Sequence, residues 1–373
     1  MRVLYFSDNS SDHNRRFLQK ISSHGHEAFF LDIAGSRPRF EMPAGVTQLR
    51  PALTISQPRD PRSVEAFLPE LESLLQTLQP DVFHAGPVQT CGYLAALTQF
   101  HPRIVMSWGS DLLLHARASG AWERATRYAL EGADGFVCDC KTVREAALRY
   151  ANLENIAEFP WGIEPGRFSP TGEKMTYWGE NPGIVTFLCT RSWEPLYDID
   201  VLLEAFTDAY SQNPFLRLLL VGHGSMEVFI RQFIEQRNLT TAVQIHSEQD
   251  PNNMPKWFRS ADIYVSCAKS DGTSISMLEA MATGLPVLVS DIPSNREWVN
   301  PSENGWLAEV GSVEAFAAGL LRAAGQSRDD IKAISARNQL LVIQRANWDK
   351  NVLQLMKLYE TVSEDSRQAC LKQ

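Results

Sequence analysis

The sequence contains no apolar run close to the roughly 18 residues that a membrane-spanning helix needs. It also lacks a CxxC pair and any cluster of His, Cys and carboxylate residues with the spacing of a metal site. Lys and Arg number 35 against 44 Asp and Glu, so no excess of positive charge is available for a nucleic acid. The sequence therefore predicts no transmembrane segment, no metal ion and no nucleic-acid partner.

Cysteine is scarce, and five of the six cysteines lie in or beside apolar runs. Thiols in that setting are typical of small buried side chains in a reducing compartment. Asp8 and Asp12 interrupt the start of the chain before the apolar core of a signal peptide can form. We therefore expect a cytoplasmic protein with free thiols, and we leave open a peripheral position at the inner face of a membrane.

What the sequence does contain is an ordinary globular composition, with 44% hydrophobic and 21% charged residues over 373 residues. At roughly 150 residues per domain, this length predicts two domains. Proline and glycine are concentrated between residues 159 and 183, which indicates the connection between them. We expect an N-terminal domain over residues 1–164 and a C-terminal domain over residues 165–345. Residues 346–373 are expected to form a helix, with packing against the N-terminal domain left open, and a polar tail.

Short apolar segments alternate with helical patterns in both predicted domains. Strands are expected at residues 3–7, 28–33, 81–84, 104–107, 135–138, 184–189, 216–221, 243–246, 263–267 and 287–290. Such alternation produces parallel sheets that are covered by helices, the doubly wound α/β class. Ligands of these sheets bind at the carboxyl ends of the strands, so we expect the site in a cleft between two domains.

The most specific stretch of the sequence is residues 270–286. It places Asp271 in a loop after an apolar strand and Glu279 about one turn into a helix. Gly272, Thr273 and Ser274 would present backbone N–H groups at the start of that helix, which is an arrangement that attracts a phosphate. Asp271 and Glu279 could then accept hydrogen bonds from sugar hydroxyls. The alternative is a helix cap followed by an ordinary exposed glutamate.

Asp271, Glu279 and the following Ala-Met-Ala-Thr-Gly-Leu-Pro resemble the E-x7-E block of the retaining glycosyltransferases of family 4. Further segments with counterparts in that family lie at residues 80–84, 108–111, 159–164, 220–224 and 304–305. In this order and spacing the segments make a specific match that covers most of the chain. The resemblance implies the GT-B fold, in which two Rossmann-like domains face a cleft.

The resemblance also implies a function. Family members move a sugar from a nucleotide diphosphate sugar to a hydroxyl of an acceptor and retain the anomeric configuration. We expect the same here, without a metal or other cofactor, on a glycan, lipid-linked or small-molecule acceptor. By position, Glu279 would bind the donor ribose, Asp271 the donor sugar and Arg191 the pyrophosphate. The C-terminal domain would hold the nucleotide and the N-terminal domain the acceptor.

Three departures from the family pattern keep alternatives open. Asp271 stands where the family has Glu, Leu196 stands where a lysine often follows the arginine by five residues, and Trp108 replaces a common His. The chain could accordingly be a catalytically weak scaffold that binds a nucleotide or a glycan. A sugar-nucleotide epimerase of the same fold is the other alternative.

Further donor and acceptor residues are expected on loops. Gly222, His223 and Gly224 form a turn that would lie near the donor diphosphate. The expected acceptor-binding residues are polar or aromatic and lie at or after the ends of predicted strands: His13, Asn14, Arg15, His84, Trp108 and Asp111. A polar helix cap is the alternative for residues 13–15, and a buried structural histidine is the alternative for His84. We interpret Asp198, in an Asp-Ile-Asp triplet, as the N-cap of a helix.

Overall fold

The computed structural model describes residues 1–36, 40–56, 60–164, 166–175, 178, 183–247, 250, 252–301 and 303–371. The chain divides into two compact units. Unit 1 comprises Met1–Pro160 and Lys350–Gln373, and unit 2 comprises Trp161–Asp349. The division at Pro160 falls in the proline- and glycine-rich stretch, whereas residue 165, where the sequence analysis divides the domains, lies outside the described residues.

Unit 1 is built on one parallel sheet. Its strands are β1 (Arg2–Ser7), β2 (Glu27–Asp32), β3 (Val46–Leu49), β4 (Val82–Ala85), β5 (Arg103–Met106), β6 (Gly135–Cys138) and β7 (Ile156–Glu158). The strand order is β3-β2-β1-β4-β5-β6-β7, and every pair is parallel. All carboxyl ends therefore lie at one edge of the sheet, which is where the loops that follow the strands gather.

Helices connect these strands. They are α1 (Asp12–Ser23), α2 (Leu68–Leu78), α3 (Tyr93–Leu97), α4 (Ser110–Leu113), α5 (Gly120–Glu131) and α6 (Lys141–Ala147). A π-helical turn, Val88–Gly92, follows β4. Helix α1 begins where the Ser11 hydroxyl accepts a hydrogen bond from the Asn14 amide, and it buries Phe17, Leu18 and Ile21 against the sheet. Local capping and apolar spacing together fix this helix beside the end of β1.

Unit 2 has the same architecture. Its strands are β8 (Val185–Cys189), β9 (Leu216–Val221), β10 (Val243–His246), β11 (Ile263–Ser266), β12 (Val287–Ser290) and β13 (Gly305–Ala308). They are parallel in the order β10-β9-β8-β11-β12-β13. The central strands are buried on both faces and consist almost wholly of apolar residues, as such strands must.

The helices of unit 2 cover both faces of this sheet. They are α7 (Ile199–Gln212), α8 (Glu227–Gln236), α9 (Met254–Arg259), α10 (Ile275–Ala282), α11 (Pro293–Arg296), α12 (Val313–Ala324) and α13 (Arg328–Arg345). Two separate apolar clusters, one on each face, contain Trp193 and Tyr264 among their largest members. The expected class, two Rossmann-like parallel-sheet domains, is therefore confirmed.

The chain ends with α14 (Trp348–Asn351) and α15 (Leu353–Leu371). Helix α15 belongs to unit 1 and packs on β4, β6 and β7. Leu355, Tyr359 and Val362 lie buried on the face that it turns toward the sheet. Across the described part of the chain, no helix is both long and apolar enough to cross a bilayer. Five cysteines are free and buried, as expected, and the side chain of Cys370 lies outside the described set.

Candidate active site

Arg191 forms the centre of a charged cluster at the carboxyl edge of the unit 2 sheet. It follows β8 directly, and only about a tenth of its side chain is exposed. One terminal nitrogen lies 2.9 Å from Asp271 Oδ2, and the other donates to Ser274 Oγ at 2.7 Å and Ser276 Oγ at 3.2 Å. Burial is the largest effect on Arg191 and opposes its charge, but the Asp271 carboxylate together with Tyr197, Tyr264 and Cys189 outweighs burial and raises the pKa of the guanidinium. The cluster therefore holds a fixed, fully ionised cation.

Asp271 is the matched anion of this cluster. It lies in the loop between β11 and α10, and its backbone oxygen accepts a hydrogen bond from Ser294 Oγ at 2.8 Å. The Gly272 amide and the Ser274 hydroxyl also hydrogen-bond the carboxylate. Sequence analysis places Arg191 and Asp271 each at a strand end, and the structure brings the two side chains into direct contact.

The residues expected to bind a phosphate lie at the start of α10. Gly272, Thr273 and Ser274 are buried, and Ser274 is the N-cap whose hydroxyl accepts from the Met277 amide at 3.3 Å. The capping alternative is thus observed for Ser274, and the same hydroxyl also accepts from Arg191. Glu279 lies half-buried further along α10. The helix start and the guanidinium therefore form one electropositive group.

The turn after β9 packs against the loop that carries Arg191. A Cβ on Gly222 would lie 2.8 Å from the backbone oxygen of Arg191, and one on Gly224 would lie 2.6 Å from the carbonyl carbon of Trp193. The Trp193 amide donates a hydrogen bond to the backbone oxygen of the exposed His223 at 3.0 Å. Both glycines are therefore required by this close approach of two backbones.

Tyr197 contacts the charged cluster, and Lys269 lies two residues before Asp271; neither residue was predicted from the sequence. The Arg191 guanidinium carbon lies 4.1 Å from the centroid of the Tyr197 ring, a cation–π contact next to the position of Leu196. Asp198 occupies the N-cap position of α7 as expected, but its carboxylate does not cap the helix. It pairs instead with Lys269 Nζ at 2.6 Å, and the backbone of Asp198 is left-handed at φ 46° rather than in the extended region typical of an N-cap.

Two of the expected acceptor residues, Asn14 and Asp111, make contacts that hold unit 1 together. The buried Asn14 amide accepts from Tyr5 Oη at 2.9 Å and donates to Ser7 Oγ at 3.0 Å. The buried Asp111 carboxylate accepts from Ser107 Oγ at 2.5 Å and from the Val88 amide at 3.0 Å. Both side chains support the loops at the carboxyl edge, so the structure offers them a positioning role.

His84 lies in the interior of unit 1. Its Nδ1 is 2.6 Å from Tyr359 Oη on α15, and its ring packs on Tyr5 with the centroids 4.9 Å apart. Burial lowers the pKa of His84 to about 3, so the imidazole is neutral. These contacts favour a structural role for His84 over acceptor binding, since no surface of the residue is exposed.

Three other expected acceptor residues, His13, Arg15 and Trp108, are accessible at the carboxyl edge of the unit 1 sheet. His13 is exposed, and its ring centroid lies 6.3 Å from that of the half-buried Trp108. Trp108 packs edge-on against Phe17 at 6.1 Å. Arg15 lies on α1 and pairs with Asp12 at 3.3 Å. An imidazole beside an indole is a surface on which a sugar ring can stack.

Asp8, immediately after β1, is a further residue that sequence analysis did not assign to the site. Its Oδ1 accepts from Asn9 Nδ2 at 2.8 Å, and no described cation pairs with it. Burial raises the pKa of Asp8 to about 6, and the nearby Asp111 and Asp32 carboxylates add to the effect. A carboxylate whose pKa is raised in this way at a strand end is a common feature of ligand sites.

Asp8→Asn is expected to stabilise the fold at neutral pH. The folded state keeps its proton up to about pH 6, whereas the unfolded chain loses it near 3.8, so wild-type stability falls between these values. At about pH 7.5 the variant should gain roughly 1–3 kcal/mol in free energy of unfolding, and at about pH 3.5 nothing. Urea midpoints at both pH values check this, with the exposed Asp365→Asn as control. Equal gains at both pH values would contradict the assignment.

Within the described residues, no group of three or more His, Cys, Asp or Glu side chains is arranged to hold a metal ion. In unit 2, Arg191 and the start of α10 supply positive charge to the candidate site.

Two family models of known proteins match this chain. The model "Glycosyl transferases group 1" matches residues 178–327, and "Glycosyl transferase 4-like" matches residues 2–140. The phosphatidyl-myo-inositol mannosyltransferase of Mycobacterium tuberculosis is 28% identical over 213 residues, which are 55% of this chain and 54% of that protein. Its counterpart from Mycobacterium leprae is 30% identical over 212 residues with the same shares. The match thus spans about half the length of these curated relatives.

Solved structures share the fold over nearly the whole chain. Sucrose-phosphate synthase of Thermosynechococcus elongatus has a TM-score of 0.81 at 17% identity, covering 97% of this chain and 99% of that one. HepE of Anabaena in complex with UDP has a TM-score of 0.75 at 13% identity, covering 97% and 100%. The two family models show that the chain belongs to the group 1 glycosyltransferases of family 4, and the similarity to the solved structures shows that it has the GT-B fold.

Proposed function

We propose that this protein transfers a hexose from a nucleotide diphosphate sugar to a hydroxyl of an acceptor and retains the anomeric configuration. The observation that carries the proposal is the cluster of Arg191, Asp271 and Ser274 at the start of α10. Membership of the group 1 glycosyltransferases supports it. So does the fold shared with HepE, a protein whose structure holds UDP.

Arg191 has the charge that the reaction needs. Negative charge builds on the leaving diphosphate as the bond to the sugar breaks. A cation about 4 Å away contributes roughly 4 kcal/mol at an effective dielectric constant of 20. Because its neighbours fix Arg191 before the donor binds, little reorganisation accompanies the transition state, where the interaction is strongest. No metal ion is required for this step in the proposed mechanism.

Asp271 is proposed to act in two ways. Its contact at 2.9 Å aligns the guanidinium, and its position in the loop before α10 places it to meet hydroxyls of the donor sugar. Glu279 is proposed to accept hydrogen bonds from the ribose, with Gly222, His223 and Gly224 beside the diphosphate. In the retaining step the acceptor hydroxyl attacks the face from which the leaving group departs. The departing phosphate then accepts the proton of that hydroxyl.

Unit 1 is proposed to bind the acceptor. His13, Arg15 and Trp108 offer accessible polar and aromatic groups, while Asn14 and Asp111 hold the loops beneath them. His84 is excluded from direct contact with a ligand, because it is fully buried. The acceptor is therefore expected to present hydroxyls and a sugar face to this edge of the sheet.

Thermal stability against UDP, GDP, ADP, CMP and dTDP tests the proposal. One nucleoside diphosphate at about 100 times its dissociation constant should stabilise the protein by roughly 2.7 kcal/mol, a shift of about 5–10 °C for a unit of this size. Glu279→Ala should abolish the shift, and Glu235→Ala, an exposed glutamate on α8, should leave it intact. The absence of a shift with every nucleotide would contradict the donor site and favour the scaffold alternative.

A further inference from the structure

A cavity lies in unit 1, at the carboxyl ends of β2 and β3. Its volume is about 680 Å³, within the range of ligand pockets, which are roughly 300–1,000 Å³. The strands β3, β2 and β1 are neighbours in the sheet and run parallel. The cavity therefore opens at the same edge as the loop that carries Asp8 and the start of α1 that carries His13, but on the outer strands.

One wall of the cavity is built to stay in place. Asp32, the last residue of β2, accepts from Ser10 Oγ at 2.9 Å and from the amides of Ala34 and Ser36 at 2.9 and 3.1 Å. Its carboxylate is thereby occupied by the chain itself. Ser10 lies in the loop after β1, so this carboxylate joins the wall of the cavity to that loop.

The rest of the lining combines apolar side chains with unused polar ones. Phe40, Met42 and Leu49 line the cavity and are half-buried. Gln48 and Arg50 also line it, and neither makes a side-chain hydrogen bond or an ion pair with any residue that the structure describes. Arginine presents a planar fork that matches a phosphate or carboxylate with two hydrogen bonds. An apolar lining with an arginine and an amide that have no side-chain partner among the described residues suits a sugar or lipid body that bears an anion.

We propose that this cavity binds the anionic end of the acceptor, a phosphate or a carboxylate, through Arg50 and Gln48. The proposal rests on the proposed function, because it makes the acceptor of that reaction an acidic molecule. The apolar side chains Phe40, Met42 and Leu49 contact the body of that molecule. The acceptor is thus held on the outer strands while its reacting hydroxyl lies toward the loop after β1.

Binding of three probes to the full-length chain tests this proposal: glucose 1-phosphate, glucuronate and glucose, measured by calorimetric titration. One of the acidic sugars should bind at least about tenfold more tightly than glucose, and Arg50→Gln should remove that preference. Whether the phosphate or the carboxylate binds better identifies the anion of the acceptor. Arg149→Gln removes the same charge from an exposed position after α6 and should keep the preference.

Three results would overturn the proposal. The first is that no acidic sugar binds more tightly than glucose. The second is that Arg50→Gln keeps the preference. The third is that Arg191→Ala removes the preference in place of Arg50→Gln, because the anion would then occupy the unit 2 site. Failure of the proposed function would be seen separately, because the wild-type protein would then bind no nucleotide. Arg50→Gln is expected to leave nucleotide binding unchanged.

Discussion

Replacing Arg191 by alanine is expected to lower turnover about 10²–10³-fold, the cost of removing one preorganised donor that faces developing negative charge. The guanidinium is held by Asp271, Ser274 and Ser276, and the Tyr197 ring covers one of its faces. Solvent cannot readily replace a cation fixed in this way. Turnover at saturating donor and acceptor, with the donor that the nucleotide panel identifies, measures the effect.

The variant also leaves Asp271 without its partner, and this second effect has to be separated from the first. Asp271 is half-buried, so its uncompensated carboxylate is expected to destabilise the fold by less than the about 3–5 kcal/mol typical of a broken, fully buried ion pair. The double variant Arg191→Ala with Asp271→Asn removes that charge, so it should recover thermal stability but not turnover. Asp271→Asn alone provides the reference for the double variant. Recovery of turnover in the double variant would remove Arg191 from the mechanism.

Two further variants calibrate the effect of Arg191→Ala. Arg191→Lys keeps the positive charge but loses the planar fork that donates in two directions, so an intermediate turnover is expected. Arg296 pairs with Asp291 in the same unit at an exposed position, and Arg296→Ala should leave turnover unchanged. A similar loss in both alanine variants would indicate a general effect of charge.

The fold could be predicted in class and in most central strands. Leu216–Val221 and Val287–Ser290 are continuous apolar runs between turn residues, so their pattern determines the element. The short edge strand β3, Val46–Leu49, was missed because it is mostly half-buried and contains Thr47 and Gln48. Strand β7 is only three residues long, and strand identity there comes from pairing with β6. Edge strands depend on their neighbours more than on their own sequence.

The site could be predicted in place but not in its contacts. Motif and strand position put Arg191 and Asp271 at the correct edge of the sheet, but their pairing depends on two loops that are distant in the chain. Residue type did not separate Asn14 from His13, which are adjacent on α1, because helix geometry buries one and exposes the other. Asp8 was missed because its raised pKa is a property of burial and of neighbouring carboxylates.

Gly224→Ala is expected to reduce donor affinity at least about tenfold, although residue 224 need not touch the donor. The added methyl group would collide with the backbone of Trp193, and neither the carbonyl nor the fully buried Trp193 ring can move independently. The Met226 amide donates to the same Trp193 carbonyl at 2.9 Å, so relief of the collision must move the whole loop. Overpacking of this kind typically costs about 1–3 kcal/mol.

The displaced loop carries Arg191 two residues before Trp193, so the expected loss falls on the diphosphate contact. Affinity for the nucleoside diphosphate should decline more than affinity for the matching monophosphate, which binds with one phosphate fewer. Gly325→Ala is the matched control, because its nearest heavy atom would be 3.4 Å away at a φ of −83°. An equal loss for both nucleotides would place the effect on the nucleoside instead. Unchanged affinity for both would mean that the turn after β9 does not position Arg191.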